Sequence, residues 1–125
     1  MINQALLNPD SIVVVGGSND TGKPGGKILK NIIDGRYNGE LHVVNPKTPV
    51  VQGIACLPSV EKLESVDLAI LSVAAQHCPQ IVQTLAAEKN TRAFIILSAG
   101  FGEESEQGKR WETEIASTVN SVMAA

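Results

Sequence analysis

Cysteine, histidine and positive charge are all scarce in this chain. Its two cysteines, Cys56 and Cys78, lie far apart and outside any C-x-x-C pattern, so reduced thiols in the cytoplasm are the expected state. Two histidines and two unclustered cysteines do not make a zinc site. The net charge is -3 and no basic cluster is present; nucleic acid, which needs a positive footprint, is not an expected partner. No apolar run approaches ~18 residues, so none is expected to span a membrane. The opening "MINQALLNPD" lacks the charged n-region and cleavage site of a signal peptide and reads as part of the fold. Internal repeats, low-complexity tracts and linkers are also missing. The 125 residues therefore suggest one domain over residues 1–125 with a single core.

What the sequence does contain is four short apolar runs, "SIVVVGG", "ELHVVNP", "DLAILSV" and "AFIILSAG". None alternates strictly between apolar and polar, which predicts strands covered on both faces, as in a parallel sheet. Helical patterns separate them. "GGKILKNIIDG" sets Ile28, Leu29, Ile32 and Ile33 on one face, with Gly35 expected just past the helix end. "CPQIVQTLAAEKN" does the same with Ile81, Val82, Leu85 and Ala86, and Asn90 is its expected stop. A last helix carries Trp111, Ile115, Val119 and Val122 as one stripe, and "PVVQGIACLPSVEKLES" reads as a short edge strand followed by a brief helix. Alternating β and α elements imply right-handed crossovers and an α/β fold: a three-layer, Rossmann-like, doubly wound and mainly parallel sheet. A fifth strand normally completes such a half-sheet, yet the sequence stops at "VMAA". That predicts a sheet lacking its last strand, in a segment of a longer protein or a domain with a partner. Its open edge makes a homo-oligomer possible.

Ligands of doubly wound sheets bind outside the carboxyl ends of the strands. Those ends are Gly16-Gly17-Ser18, Asn45-Pro46-Lys47, Ser72-Val73-Ala74 and Ser98-Ala99-Gly100. The first opens the stretch "IVVVGGSNDTGKPGGKIL", a strand, a loop and a helix in the arrangement of phosphate-binding sites. The P-loop pattern nearly fits "GSNDTGKP" but fails at Pro24, where a Ser or Thr hydroxyl would hold Mg²⁺. The third strand also ends in Ser72 and Val73 where a magnesium-binding Asp belongs. The dinucleotide pattern G-x-G-x-x-G fails on spacing, because the glycine after Gly16-Gly17 is Gly22. NAD further wants an acidic residue at the end of the second strand, and this chain has "NPK". Lys47 there suits a ribose that bears a phosphate, as in NADP or coenzyme A.

The order "LLNPDSIVVVGGS…GKPGGKILKNI", "GELHVVNPK", "GIACLPSVEKL", "VDLAILSVAA" and "FIILSAGFGEE" resembles the coenzyme A-binding domain of ADP-forming acyl-CoA synthetases, relatives of the succinyl-CoA synthetase alpha subunit. The resemblance runs over roughly residues 6 to 115. One departure is Ala74, which makes "SVAA" where the family has "SVPA". The resemblance implies that the chain binds coenzyme A or acyl-CoA. It implies a parent enzyme that converts acyl-CoA, ADP and phosphate to acid, ATP and coenzyme A. Further synthetase domains or an ATP-grasp subunit would be its partners. Family members pass a phosphoryl group through a histidine of a later domain, so His42 and His77 read as structural or solvated and the segment alone as a binding module without catalytic residues. The alternatives are a stand-alone coenzyme A-binding regulatory protein and an NADP-binding domain of an oxidoreductase.

In that site the loop residues Gly17, Ser18, Asn19, Gly22, Lys23 and Gly25 are expected at the diphosphate, held by backbone N–H groups and the positive end of the helix. Pro24 fits the first helical turn, where its missing N–H costs nothing. The bland reading of Lys23 is a solvated loop lysine. By resemblance Lys47 meets the nucleotide end of coenzyme A near its 3′-phosphate. Val73, Ala74, Ser98, Ala99 and Gly100 would line the groove for adenine and pantetheine, although small residues at strand ends are also ordinary turn chemistry. The carboxylates Glu103, Glu104 and Glu106 read as charges complementing a helix start.

Overall fold

In the computed structural model, residues 8–97 are described. Strand β1 (Ser11–Val15) is followed by helix α1 (Pro24–Asp34), β2 (Glu40–Val44), the two-residue strands β3 (Val50–Val51) and β4 (Ile54–Ala55), a 3₁₀ turn at Val60–Lys62, β5 (Leu68–Leu71), a second 3₁₀ turn at Ala75–His77, helix α2 (Cys78–Glu88) and β6 (Ala93–Ile96). The main sheet has the order β2-β1-β5-β6, all parallel. This is the expected Rossmann-like α/β architecture. The predicted helix carrying Trp111 and the strand end at 98–100 lie outside the described residues. Among the described residues, no helix is long and apolar enough to cross a membrane.

Strand position explains the hydrophobic pattern. The central strands β1 and β5 are buried at every residue, whereas β2 and β6 are covered only in part. Period-two alternation sends Val13, Val15, Ala69 and Leu71 to one face, against Val82 and Leu85 of α2. It sends Ile12, Val14, Leu68 and Ile70 to the other, against Leu29 of α1 and Val51 of the hairpin. Ile28 and Ile32 pack half-buried beside Leu29, but Ile33 falls off the stripe and is exposed. The amino end of the sheet is tied by one residue. Asp67 Oδ2 accepts the Asp10 N–H at 2.8 Å, its own N–H donates to Ser11 Oγ at 2.9 Å, and its carbonyl accepts from Arg92 and Ala93. The carboxyl end stays open for other work.

Two details differ from expectation. The stretch after β2 joins the edge of the main sheet only at Leu57, an isolated parallel bridge to Val44 in which the Leu57 N–H donates to Val43 O at 2.9 Å and Leu57 O accepts from the Asn45 N–H at 3.0 Å. It folds as a separate antiparallel hairpin, with Gln52 and Gly53 at φ 48° and 84°, the pair of positive angles of a type I′ turn. The end of α1 also lies one residue later than expected. Gly35 is right-handed at φ -74° and still donates to Asn31 O, while Arg36 takes the left-handed position at φ 57°. The N–H of Arg36 donates to Ile33 O and that of Tyr37 to Ile32 O, the paired bonds of a Schellman cap. A left-handed non-glycine residue costs roughly 1–2 kcal/mol. Arg36→Gly is therefore expected to stabilise the fold by about 1 kcal/mol. The measurement is a higher urea midpoint at unchanged slope; a lower midpoint would mean that the arginine side chain stabilises the fold by more than its backbone strain costs.

Candidate functional site

The strand order reverses between β1 and β5, which opens a crevice at their carboxyl ends. Gly16 makes the crossing there. Its N–H donates to Val44 O at 2.9 Å, its φ is 88°, and a Cβ would fall 2.1 Å from the backbone oxygen of Ser72. The loop then turns on short local bonds. Asp20 N–H donates to Ser18 Oγ at 3.0 Å, Gly22 N–H to Asp20 Oδ1 at 2.9 Å, and Lys23 N–H to Asp20 O at 3.1 Å. Lys23 is the N-cap of α1, without a side-chain cap, and Pro24 follows in the first turn. The first-turn N–H groups of Gly25 and Gly26 have no carbonyl within the helix to bond. Groups of this kind, together with the helix dipole, suit an anion.

These glycines have packing reasons of their own. A Cβ on Gly25 would meet Gly16 O at 2.3 Å, and one on Gly26 would meet Asp20 O at 2.1 Å. Helix α1 can therefore start directly against the end of β1. Gly17 is buried against Val43, which a Cβ would approach to 2.7 Å. Gly22 is the least crowded of the predicted loop glycines, since a Cβ there would meet only a side-chain atom, Asp20 Oδ1 at 3.1 Å. Asn19 is committed to the hairpin: its Oδ1 accepts from Gln52 N–H at 2.7 Å and its Nδ2 donates to Val50 O at 3.4 Å.

The second strand end is organised by Asn45, which the sequence reading passed over. Its Nδ2 donates to Gly17 O at 3.0 Å, and its Oδ1 accepts from the N–H groups of Lys47 at 2.8 Å and Thr48 at 3.0 Å. One amide thus joins the glycine loop to the turn that carries Lys47. Lys23 and Lys47 are exposed, and among the described residues neither pairs with a carboxylate.

A cavity of about 470 Å³ lies at the same end of the sheet, on the α2 side. Val15, Gly16, Val44, Pro46 and Val73 line it from the strand ends, residues 58–61 from the first 3₁₀ turn, and Gln76, His77, Gln80 and Ile81 from the start of α2. Of the predicted site residues Val73 reaches this cavity; Ala74 is next to it in sequence and exposed, and the two lysines are not in its lining. Gln76 and Gln80 were missed. Their signal was present, since polar residues four apart at a helix start after a strand end face the ligand side of such a sheet. Glu61 brings a carboxylate to the wall. Its own backbone N–H, and next the Ser59 hydroxyl, hold its carboxyl below the usual range. His77 is exposed at the N-cap of α2, while His42 lies half-buried within β2, 3.9 Å from Glu40 Oε2. Ser98, Ala99, Gly100 and the Glu103, Glu104 and Glu106 cluster fall outside the described residues.

A family model described as a CoA binding domain matches residues 10–121. ADP-forming acetate–CoA ligase II of Archaeoglobus fulgidus is 33% identical over 111 residues, a match covering 88% of this chain and 16% of that protein. The alpha subunit of ADP-forming acetate–CoA ligase II of Pyrococcus furiosus is 39% identical over 113 residues, covering 88% of this chain and 24% of that one. Among solved structures, the dinucleotide-forming acetyl-coenzyme A synthetase 1 of Ca. Korarchaeum cryptofilum, in complex with phosphate and ADP, superposes with a TM-score of 0.84 at 27% identity. That match covers 95% of this chain and 25% of that one. The chain thus spans 16% to 24% of the length of these curated relatives.

Proposed function

The chain belongs to the family of CoA binding domains, and from that premise we propose that it is the coenzyme A-binding unit of an ADP-forming acyl-CoA ligase. The observation that carries this reading is the division of the carboxyl end of the sheet into two unlike halves. On the α1 side stand a helix end with free first-turn N–H groups and the exposed ammonium groups of Lys23 and Lys47, which suit phosphates. On the α2 side, the cavity offers valines, prolines, glutamines, His77 and the Glu61 carboxylate, with no lysine in its lining. That lining suits a neutral, amide-bearing group better than a phosphate.

Coenzyme A has this division within one molecule. We assign its diphosphate to residues 17–25 of the loop and its 3′-phosphate to Lys47. A neutral part of the ligand, adenine or the amide-bearing pantetheine arm, lies in the cavity beside Val73 and Ala74. Gln76 and Gln80 supply amide donors and acceptors there. Ser98, Ala99 and Gly100 continue the same wall on this reading. The reversible conversion of acyl-CoA, ADP and phosphate to acid, ATP and coenzyme A would take place in the larger assembly, with further synthetase domains or an ATP-grasp subunit as partners. This unit would hold the thiol carrier while those partners perform the phosphoryl chemistry.

Recognition by backbone N–H groups and lysines requires no metal. Coenzyme A affinity measured by titration calorimetry is expected to change by less than about two-fold when Mg²⁺ is removed with EDTA, a difference of under ~0.5 kcal/mol. A strict Mg²⁺ requirement, or tighter binding of ATP or NADP than of coenzyme A, would overturn the proposal.

A further inference from the structure

Gln52 occupies the first corner of the β3–β4 turn at φ 48°, a position that favours asparagine or glycine. Its side chain does nothing for the hairpin itself. Nε2 donates one hydrogen bond to Ser18 O and a second to Gly26 O, both at 2.9 Å. The acceptors are both carbonyls, which fixes the amide's orientation, since only its NH₂ end can serve them. Ser18 and Gly26 are the two ends of the glycine loop. The backbone N–H of Gln52 adds a third tie, to Asn19 Oδ1 at 2.7 Å. One half-buried residue, distant in sequence, therefore closes the loop into a ring.

We infer that Gln52 is a positioning residue for the diphosphate: it sets the width of the loop without touching the ligand. The inference rests on the proposed role of residues 17–25 in holding that diphosphate. The local conformation sharpens it. A glutamine in the left-handed region is strained, and what offsets the strain here is a pair of bonds directed at the loop. Stability of the hairpin and affinity for the ligand then make opposite demands at this one position.

That opposition supplies the test. Gln52→Gly and Gln52→Asn both suit the turn, and neither side chain spans the two carbonyls. Both variants are expected to keep a urea midpoint close to or above that of the unaltered protein. Both should bind coenzyme A and dephospho-coenzyme A about ten-fold more weakly, the scale of a lost hydrogen-bonded restraint. The ratio between the two ligands should not move, because the 3′-phosphate lies at Lys47. A loss of affinity that merely follows a loss of folded protein would overturn the inference, as would affinities within two-fold of the original. Amide NMR on the unaltered protein separates this from the underlying reading. Coenzyme A should shift the Gly25 and Gly26 N–H resonances. If it does not, the loop assignment fails and Gln52's role with it; if it does while the variants bind as tightly, only the role of Gln52 falls.

Discussion

Gly16→Ala is expected to destabilise the protein by about 3 kcal/mol or more, enough to unfold a marginal domain. Two costs combine. The residue sits at φ 88°, where an L side chain is strained. The added methyl would also lie 2.1 Å from the Ser72 carbonyl oxygen, a backbone atom of the neighbouring central strand that cannot swing aside. Relief requires the ends of β1 and β5 to part, which breaks the Ser72 N–H bond to Val15 O and deforms the crevice itself. Gly25→Ala gives a companion result with a telling sign. Alanine normally stabilises a helix by roughly 0.8–1 kcal/mol relative to glycine, but here the methyl would meet Gly16 O at 2.3 Å, so stability should fall. Gly22→Ala, whose methyl would meet only the movable Asp20 carboxylate at 3.1 Å, should change stability by less than about 0.5 kcal/mol. Urea denaturation of the three variants gives the ranking; a Gly16→Ala protein as stable as the original would show that the strand ends part at little cost.

Lys47→Ala should weaken coenzyme A binding by roughly ten- to a hundred-fold, or about 1.5–3 kcal/mol for a charge-assisted contact. Dephospho-coenzyme A, which lacks the 3′-phosphate, should bind the variant and the original almost equally. The lysine has no carboxylate partner to release among the described residues, so its charge is available to the ligand. Its backbone is held in place by Asn45 Oδ1. The site is exposed, and raising the salt concentration should shrink the effect toward its lower limit. Equal affinity of the unaltered protein for the two ligands would remove Lys47 from the nucleotide end.

The sheet and both described helices were legible because continuous β-branched runs and 3.6-residue stripes are local signals. Val13 and Val14 face opposite layers and are both fully buried, as an unbroken apolar run implies. The glycine loop between β1 and α1 was legible for the same reason. Its internal division of labour was not. Sequence shows that Gly22 and Gly25 are both glycines, but only the tertiary path of β1 decides that one faces a movable side chain and the other the Gly16 carbonyl. Asn45 and Gln52 escaped notice because their partners are remote, Gly17 for the first and Ser18 and Gly26 for the second. The short hairpin was not legible, since "VVQGIA" has the composition of an edge strand or a hairpin alike. Arg36 took the place expected of Gly35 because α1 runs on through Asp34, whose carboxylate pairs with Lys30 at 2.6 Å.

Strand β1 leaves the ribosome first among the described strands, yet its final place is the interior of the sheet, bonded on one edge to β2 and on the other to β5. At roughly 5–20 residues per second of synthesis, its second edge stays open for seconds until Leu68–Leu71 emerges. During that interval "SIVVV" is an extended apolar segment with no charge and no proline, the composition that pairs readily with copies of itself. Nascent chains therefore choose between waiting for β5 and associating with one another. The yield of soluble protein should follow the speed of translation and the crowding of ribosomes on the message more closely than the stability of the finished domain.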